Sequence, residues 1–395
     1  MANSRVYLDH NASSSLREGA RQAMIETLSL CGNPSSVHKD GRFLRFLLEK
    51  ARAQIGAFVG VDADNVIFTS SATEAANLAL TPDVYKDGDP CPAGHLYVLE
   101  SEHPCVLAGG RFLPQNISTI PVNENGIIDH EALETLLKCH DHNRGLAYVA
   151  VQLVNSETGV IQPVSKIVRS VRLHGGYVLC DAVQAAGKMP VCIQELGVDF
   201  LLLSGHKIGG PHGVGALVSA NAMLHLPSAI KGGGQERTRR AGTENVVAIV
   251  GFGNAAQEAS EQLNNFVKLS TLRDSIENHL TSICQSNGLI DRLVFFGQEV
   301  SRVGNTLAFS VRGLNAETSV IAFDLDGVSI SSGSACSSGK VGRSHVLAAM
   351  GIDEESSKGA MRVSLGWNST QSDAEKFLNS FKRITKRLRK RSGDY

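Results

Sequence analysis

The 395-residue chain is 42% hydrophobic and 19% charged with a net charge of −1, the balance of a globular protein with room for more than one core. Its N-terminus, MANSRVYLDHNASSS, lacks the basic segment and apolar run of an export signal, and no apolar stretch of about 18 residues is present, so secretion and membrane spanning are not expected. Eight cysteines are scattered without a CxxC pair, which argues against a zinc site and a disulfide framework and fits a reducing cytoplasm.

In chain order, residues from roughly 60 to 260 alternate short apolar runs (NVIFTS, HLYVLE, LAYVAVQLV, GYVLCD, VDFLLLS, VGALVS) with helical patterns. That rhythm predicts an α/β domain whose mostly parallel sheet is covered by helices. SATEAAN reads as a helix start, EALETLLK after Asp129 as an amphipathic helix, and PVSKIVRSVRLHGG as a helix ending in glycines. VVAIVGFGNAA matches a dinucleotide fingerprint on paper, but a helical pattern follows where a second strand is required. Its glycines are therefore expected to pack a helix closely. Beyond residue 255, AAQEASEQLNNFVKLSTLRDSIENHLTSICQ predicts one long polar-faced helix. RLVFFG, NTLAFSVRG, the apolar segment SVIAFDLD, an SSGSAC loop, MRVSLG and a final helix follow. We expect a large domain over 15–258 and a smaller α+β domain from 1–14 and 259–395. The closing KRITKRLRKR holds seven Lys or Arg and no acid. With no aromatics between the charges it reads as a solvated helix end ahead of the alternative, a docking patch for RNA or an acidic protein, and direct nucleic-acid binding is not expected.

In an open α/β sheet the ligand site lies beyond the carboxyl ends of the strands, and reactive residues follow these runs. Lys207 comes just after FLLLS, where partial desolvation would lower its pKa and favour imine chemistry, unless it faces solvent. Asp181 ends GYVLC, where it could pair with the protonated ring nitrogen of pyridoxal phosphate or serve as a helix N-cap. Thr73 and Ser204 offer hydroxyls to a phosphate, although Thr73 could equally be a cap. His103 is placed to lie against a cofactor ring or to decorate the surface. Cys336, in SSGSACSSGK, has nothing apolar around it in sequence and reads as a thiol that reacts or moves, or as an incidental loop cysteine.

Taken together, these residues and the ordered motifs YLDHNA, GNPSSVH, IFTSSATEAANLAL, SEHPCVL, VNSETG, CDAVQAAGK, SGHKIGGPHGVGAL, GGGQERTRRAGTENV, SSGSACSS, SHVLAAMG and RVSLG resemble the cysteine desulfurases of the NifS and IscS type, in the class V aminotransferase group. The resemblance implies a fold-type I pyridoxal phosphate transferase that takes sulfur from L-cysteine, giving L-alanine and a persulfide on Cys336. It implies that Lys207 holds the cofactor and moves a proton, Asp181 pairs with the ring nitrogen, Gln184 bonds the ring oxygen and His103 stacks on the ring. By the same likeness Thr73, Ser204 and His206 bind phosphate, and Asn155 and Arg362 hold the substrate carboxylate. Thr243 would reach a partner subunit's cofactor, which implies a homodimer. The Ser/Gly-rich loop would carry the persulfide to a sulfur acceptor, such as an iron-sulfur scaffold or a thiolation protein. Ser13-Ser14-Ser15, Ser71, Ser156 and His212 depart from the usual pattern, and none of them removes a catalytic group.

Overall fold

The computed structural model describes residues 5–333 and 344–392, so Cys336 lies outside the described residues. Seven strands form the principal sheet: β1 (Val66–Thr69), β2 (Ala93–Leu99), β3 (Ile117–Ile120), β4 (Leu146–Gln152), β5 (Tyr177–Asp181), β6 (Phe200–Ser204) and β7 (Gly215–Ser219). Their order is β1-β7-β6-β5-β4-β2-β3. All run in one direction except β7, which is antiparallel to both of its neighbours. The central strands are apolar on both faces because helices cover both, and so they read as continuous hydrophobic runs. Edge strand β3 escapes that signature: in ISTI only Ile120 is buried.

Helices α1 (Glu18–Leu28), α2 (Lys39–Val59), α3 (Ala72–Ala79) and α4 (Val246–Glu261) pack around this sheet. The VVAIVGFGNAA segment is the body of α4. A Cβ at Gly253 would lie 2.7 Å from the Ala51 Cα, and one at Gly251 would lie 2.7 Å from the Met24 side chain. These glycines let α4 press onto α1 and α2, and the dinucleotide pattern is a packing feature. The single helix expected after residue 255 is instead two. Gln262 departs from helical geometry (φ −98°, ψ 8°) between α4 and α5 (Leu263–Ser286), and its Oε1 accepts from Arg17 Nη1 at 2.7 Å.

A second, antiparallel sheet is built from β8 (Leu293–Phe295), β9 (Thr306–Val311), β10 (Ser331–Ser332) and β11 (Met361–Ser364), in the order β8-β9-β11-β10. SVIAFDLD folds as a helix, Ala316–Leu325, and the last helix is α6 (Gln371–Ser392). Phe309, Phe323, Phe377 and Phe381 stack at the centre of a separate core that also takes in Val6 and Leu8. The N-terminus reaches that core as a short strand, Val6–Tyr7, pairing with Val328–Ser329.

Three consecutive non-glycine residues, Glu236, Arg237 and Thr238, have left-handed φ angles of 48°, 57° and 67°, a conformation that costs roughly 1–2 kcal/mol per residue. The Glu236 carboxylate holds this turn from inside the protein. It accepts from Arg52 Nη1 (2.6 Å) and Nη2 (2.8 Å) and from the Phe68 N–H (2.8 Å), with both charged side chains buried. Glu236→Ala strands the Arg52 guanidinium and releases the turn. The expected loss is about 3–5 kcal/mol, measured as a lower denaturant midpoint at unchanged m-value.

Candidate active site

The carboxyl ends of β1, β2, β4, β5 and β6 converge on a cavity of ≈ 230 Å³. Thr73, His103, Asp181, Gln184, Ser204, His206 and Lys207 all line it, so seven of the residues singled out from the sequence meet in one place. Each arrives at the last residue of a buried strand or on the segment that follows one.

Lys207 closes a short 3-10 turn, Gly205–Lys207, directly after β6. Its Nζ donates to the carbonyls of Asn11 (2.6 Å) and Ala12 (2.8 Å), an N-terminal segment that wraps over the cavity. Asp181 is the last residue of β5, and its Oδ1 accepts the Val183 N–H at 2.8 Å. Burial pushes the Asp181 carboxyl up, with the Val183 N–H and Lys207 opposing. Next to it Glu102 is fully buried and raised too, first by burial and then by the Asp181 charge.

His103 is half-buried at the end of the turn after β2, and its Nδ1 accepts the Cys105 N–H at 3.2 Å and lies 2.9 Å from Cys105 Sγ. The thiol is the only hydrogen source for that second contact when Nδ1 is the acceptor, so the imidazole proton sits on Nε2. Burial, followed by the charges of Lys207 and His345, lowers His103 to about 4, which keeps the ring neutral at physiological pH. His206 is held neutral in the same way, at about 4, by burial, Lys207 and His212.

At the other end of the cavity α3 begins. Its cap is Ser71, whose Oγ accepts the Glu74 N–H at 3.2 Å, so Thr73 is left in the first turn with the orphan N–H groups. Gly215 makes room for that turn: a Cβ there would stand 2.5 Å from the Ser71 carbonyl carbon.

Three residues named from the sequence stand apart from the cavity wall. Asn155 is 2% exposed; its Oδ1 accepts from the Glu157 and Thr158 N–H groups at 2.9 Å each, and its Nδ2 donates to Ser101 O at 3.1 Å. It holds the loop that presents Ser156 to the cavity. Arg362, on β11, sits one layer behind: Nη1 donates to Ser156 O (3.0 Å), Nη2 to Asp9 Oδ1 (2.7 Å), and Nε is buried with no hydrogen-bond partner among the described residues. Thr243 is exposed and lines a different hollow, of ≈ 160 Å³, beside Ser70, Glu236 and Arg240. Two residues that sequence reasoning gave no part, Asn11 and Lys188, are in the network; both lie inside quoted motifs, YLDHNA and CDAVQAAGK, but only the fold brings them together.

Glu157 adds a titrating group near this wall. It is buried and raised to about 7 by burial, with the Ser344 hydroxyl (2.6 Å) and Arg362 pulling the other way. The folded protein therefore holds this proton more tightly than the unfolded chain. The stability it contributes is complete below the ordinary value of 4.5 and is lost as pH rises through about 7. Glu157→Gln keeps an acceptor for Ser344 and removes the titration. Relative to the parent, the variant is expected to gain in melting temperature between about pH 5 and about pH 8, which thermal unfolding at the two values checks.

Residues 6–377 match the model of the Aminotransferase class-V family. The chain belongs to the class-V aminotransferase family. Among the relatives of this class-V aminotransferase, Cysteine desulfurase IscS of Dictyoglomus turgidum is 34% identical over 390 residues, covering 97% of this chain and 95% of the relative. The IscS-like cysteine desulfurase of Mycobacterium tuberculosis is 33% identical, with 94% of each chain covered. The X-ray structure of a NifS-like protein from Rickettsia africae superposes with a TM-score of 0.85 at 33% identity, covering 96% of this chain and 99% of that one.

Class-V aminotransferases act through pyridoxal phosphate, and the cavity of this family member fits that group on its own chemistry. The buried Asp181 lacks a salt-bridge partner among the described residues and suits a protonated ring nitrogen. The open first turn of α3, with Thr73, Ser204 and His206 nearby, suits a phosphate. Lys207 would supply the amine, and Gln184 would offer an amide N–H to a ring oxygen. The described residues contain no group of His, Cys, Asp and Glu able to hold a metal ion, and no helix long and apolar enough to cross a membrane.

Proposed function

We propose that this chain is a cysteine desulfurase, taking L-cysteine to L-alanine and leaving the sulfur as a persulfide on Cys336. The observation that carries this reading is the meeting of Lys207, Asp181, Gln184 and His103 in one cavity, in a chain so similar over its whole length to cysteine desulfurases. Pyridoxal phosphate, when bound, supplies the carbonyl that takes the substrate amine and a ring into which electrons flow as the α-proton leaves.

The chain's own residues do the rest. Lys207, on a rigid turn and held by two carbonyls, takes the proton from the substrate α-carbon and later returns one. His103, fixed with its proton on Nε2, offers a donor at the cavity wall and would exchange that proton with the substrate thiol. Arg362 has an unspent Nε–H and a position behind Ser156, which suit it to the substrate carboxylate. Asn155 acts by holding the loop between them. The Cys336 thiolate attacks the substrate sulfur: an S–S bond forms, the C–S bond breaks, and its electron pair stays on carbon, which takes a proton. Cysteine and a protein thiol thus become alanine and a protein persulfide, with no added oxidant. The residues flanking the segment that carries Cys336 are seated by this site. The Gly333 N–H donates to Ala360 O, Ser344 bonds Glu157, and His345 Nε2 lies 2.7 Å from Glu102 O, one residue from His103.

A second copy of the chain completes the proposal. Thr243 faces outward, and α1 and α2 leave Ile25, Leu28, Phe43 and Phe46 exposed, the last two rings stacked at 6.4 Å. A homodimer would cover that apolar face and bring Thr243 to the partner's cofactor. The persulfide then passes to an acceptor protein, for which an iron-sulfur scaffold in the cytoplasm is our reading.

The test is to give the cofactor-loaded protein L-cysteine and a thiol reductant and to quantify alanine and sulfide together. Equal yields support the proposal. Pyruvate in place of alanine, or alanine without sulfide, refutes it.

A further inference from the structure

Lys188 is a buried amine that meets no carboxylate among the described residues. It follows Gln184 by four residues in the turn after β5 and is only 6% exposed. The charges that reach it, from Lys207 and Arg362, are of its own sign, and burial and those two neighbours all push its pKa well down. Among the described residues its amine donates to two neutral acceptors, Gln184 Oε1 at 2.6 Å and Asn11 Oδ1 at 2.8 Å. A methionine would fill the same volume without desolvating an amine, so core stability does not account for a lysine here.

What the amine does is fix two amides. Gln184 is pinned at both ends, because Oε1 accepts from Lys188 while Nε2 donates to Asn11 O at 2.9 Å. Flipping the amide would set its oxygen against a carbonyl and lose both bonds. Asn11 is pinned in turn. Its Oδ1 accepts from Lys188 and from Asn305 Nδ2 (3.2 Å), and its Nδ2 donates to Ser156 O (3.1 Å) and Thr306 Oγ1 (2.9 Å). The backbone carbonyl of this same Asn11 holds Lys207. One buried amine thus sets which end of Gln184 faces the cavity and where the carbonyl that grips Lys207 stands.

We propose that Lys188 is a positioning residue for the reaction proposed above: it locks the Gln184 amide with its N–H turned to the cofactor's ring oxygen and anchors the Asn11 segment over Lys207. This inference rests on the pyridoxal phosphate reading. A donor to the ring oxygen favours its negative form, and losing that donor makes the bound cofactor hold its proton to higher pH.

The experiment is a pH titration of the visible absorption of the loaded protein, for the parent, Lys188→Met, Lys188→Gln, Gln184→Met and the Lys188→Met/Gln184→Met double variant. Lys188→Met is expected to load cofactor, to move the absorption midpoint upward by about one pH unit, and to turn over about 10–100-fold more slowly. Lys188→Gln, which keeps a donor toward Gln184, returns the midpoint toward that of the parent. In the Gln184→Met background, Lys188→Met moves the midpoint no further, because Lys188 reaches the ring oxygen only through the Gln184 amide. An unmoved midpoint in Lys188→Met, or an equal further displacement in the double variant, overturns the proposal. Should Lys188→Met not fold, Gln184→Met decides: an upward midpoint supports the lock and an unmoved one overturns it. A parent that shows no visible band and makes no alanine overturns the desulfurase reading and this inference together, an outcome plainly different from a parent that is active while its variants are unshifted.

Discussion

Lys207→Ala is expected to lower alanine formation from L-cysteine by at least about 10³-fold, with loss of the visible band of covalently held cofactor. The amine lines the cavity from the turn that follows buried strand β6, closed by the Ile208 N–H bond to Gly205 O, with Nζ 2.6 Å from Asn11 O. A neighbour cannot replace it. His103 and His206 are neutral but carry no primary amine, and Lys188 is directed away into the Gln184 and Asn11 amides. The loss should fall on kcat far more than on KM, since Arg362 and the loop at Ser156 are untouched. Steady-state kinetics beside an absorption spectrum check this, and a Lys207→Ala protein with full turnover would sink the assignment.

Cys336→Ala should separate loading from sulfur transfer. Its absorption spectrum and melting temperature are expected to match the parent, while alanine formation falls by at least about 10²-fold, because the electron pair of the C–S bond is released only when a thiolate takes the sulfur. Cys105 also lines the cavity, and it cannot stand in. Burial pushes it up to about 12, followed by the charges of Asp181 and Glu102, and it already faces His103 Nδ1. It stays a thiol across the working pH range, and a thiolate is the attacking species. Undiminished alanine in Cys336→Ala would mean that another group takes the sulfur.

Much of the large sheet is legible in the sequence for a plain reason. Strands buried on both faces are uninterrupted apolar runs, and the residue after each run is where chemistry must sit, so Asp181, Ser204 and Lys207 declare themselves. Strand β3 does not, because its edge position leaves ISTI half polar. The two-helix form of 246–286 is hidden since only a side chain from far upstream, Arg17, marks the break at Gln262. Ser71 rather than Thr73 caps α3, a one-turn ambiguity that a run of Ser, Ser, Ala and Thr leaves open. The deepest omission is Lys188. Its partner Asn11 is 177 residues away, and periodicity carries no information about such a pair.

The N-terminal segment sets a timetable for the protein's own synthesis. Its first strand has no edge to join until Val328 and Ser329 exist, and the long-range partners of Asp9 and His10, Arg362 and Ser364, come later still. A ribosome therefore releases nearly the whole chain before Asn11 can close over the lysine. The large sheet, complete at Ser219, can form well before that. The nascent protein would pass through a stage with its sheet assembled and its amine ungripped, becoming competent only when the last tenth of the chain has emerged.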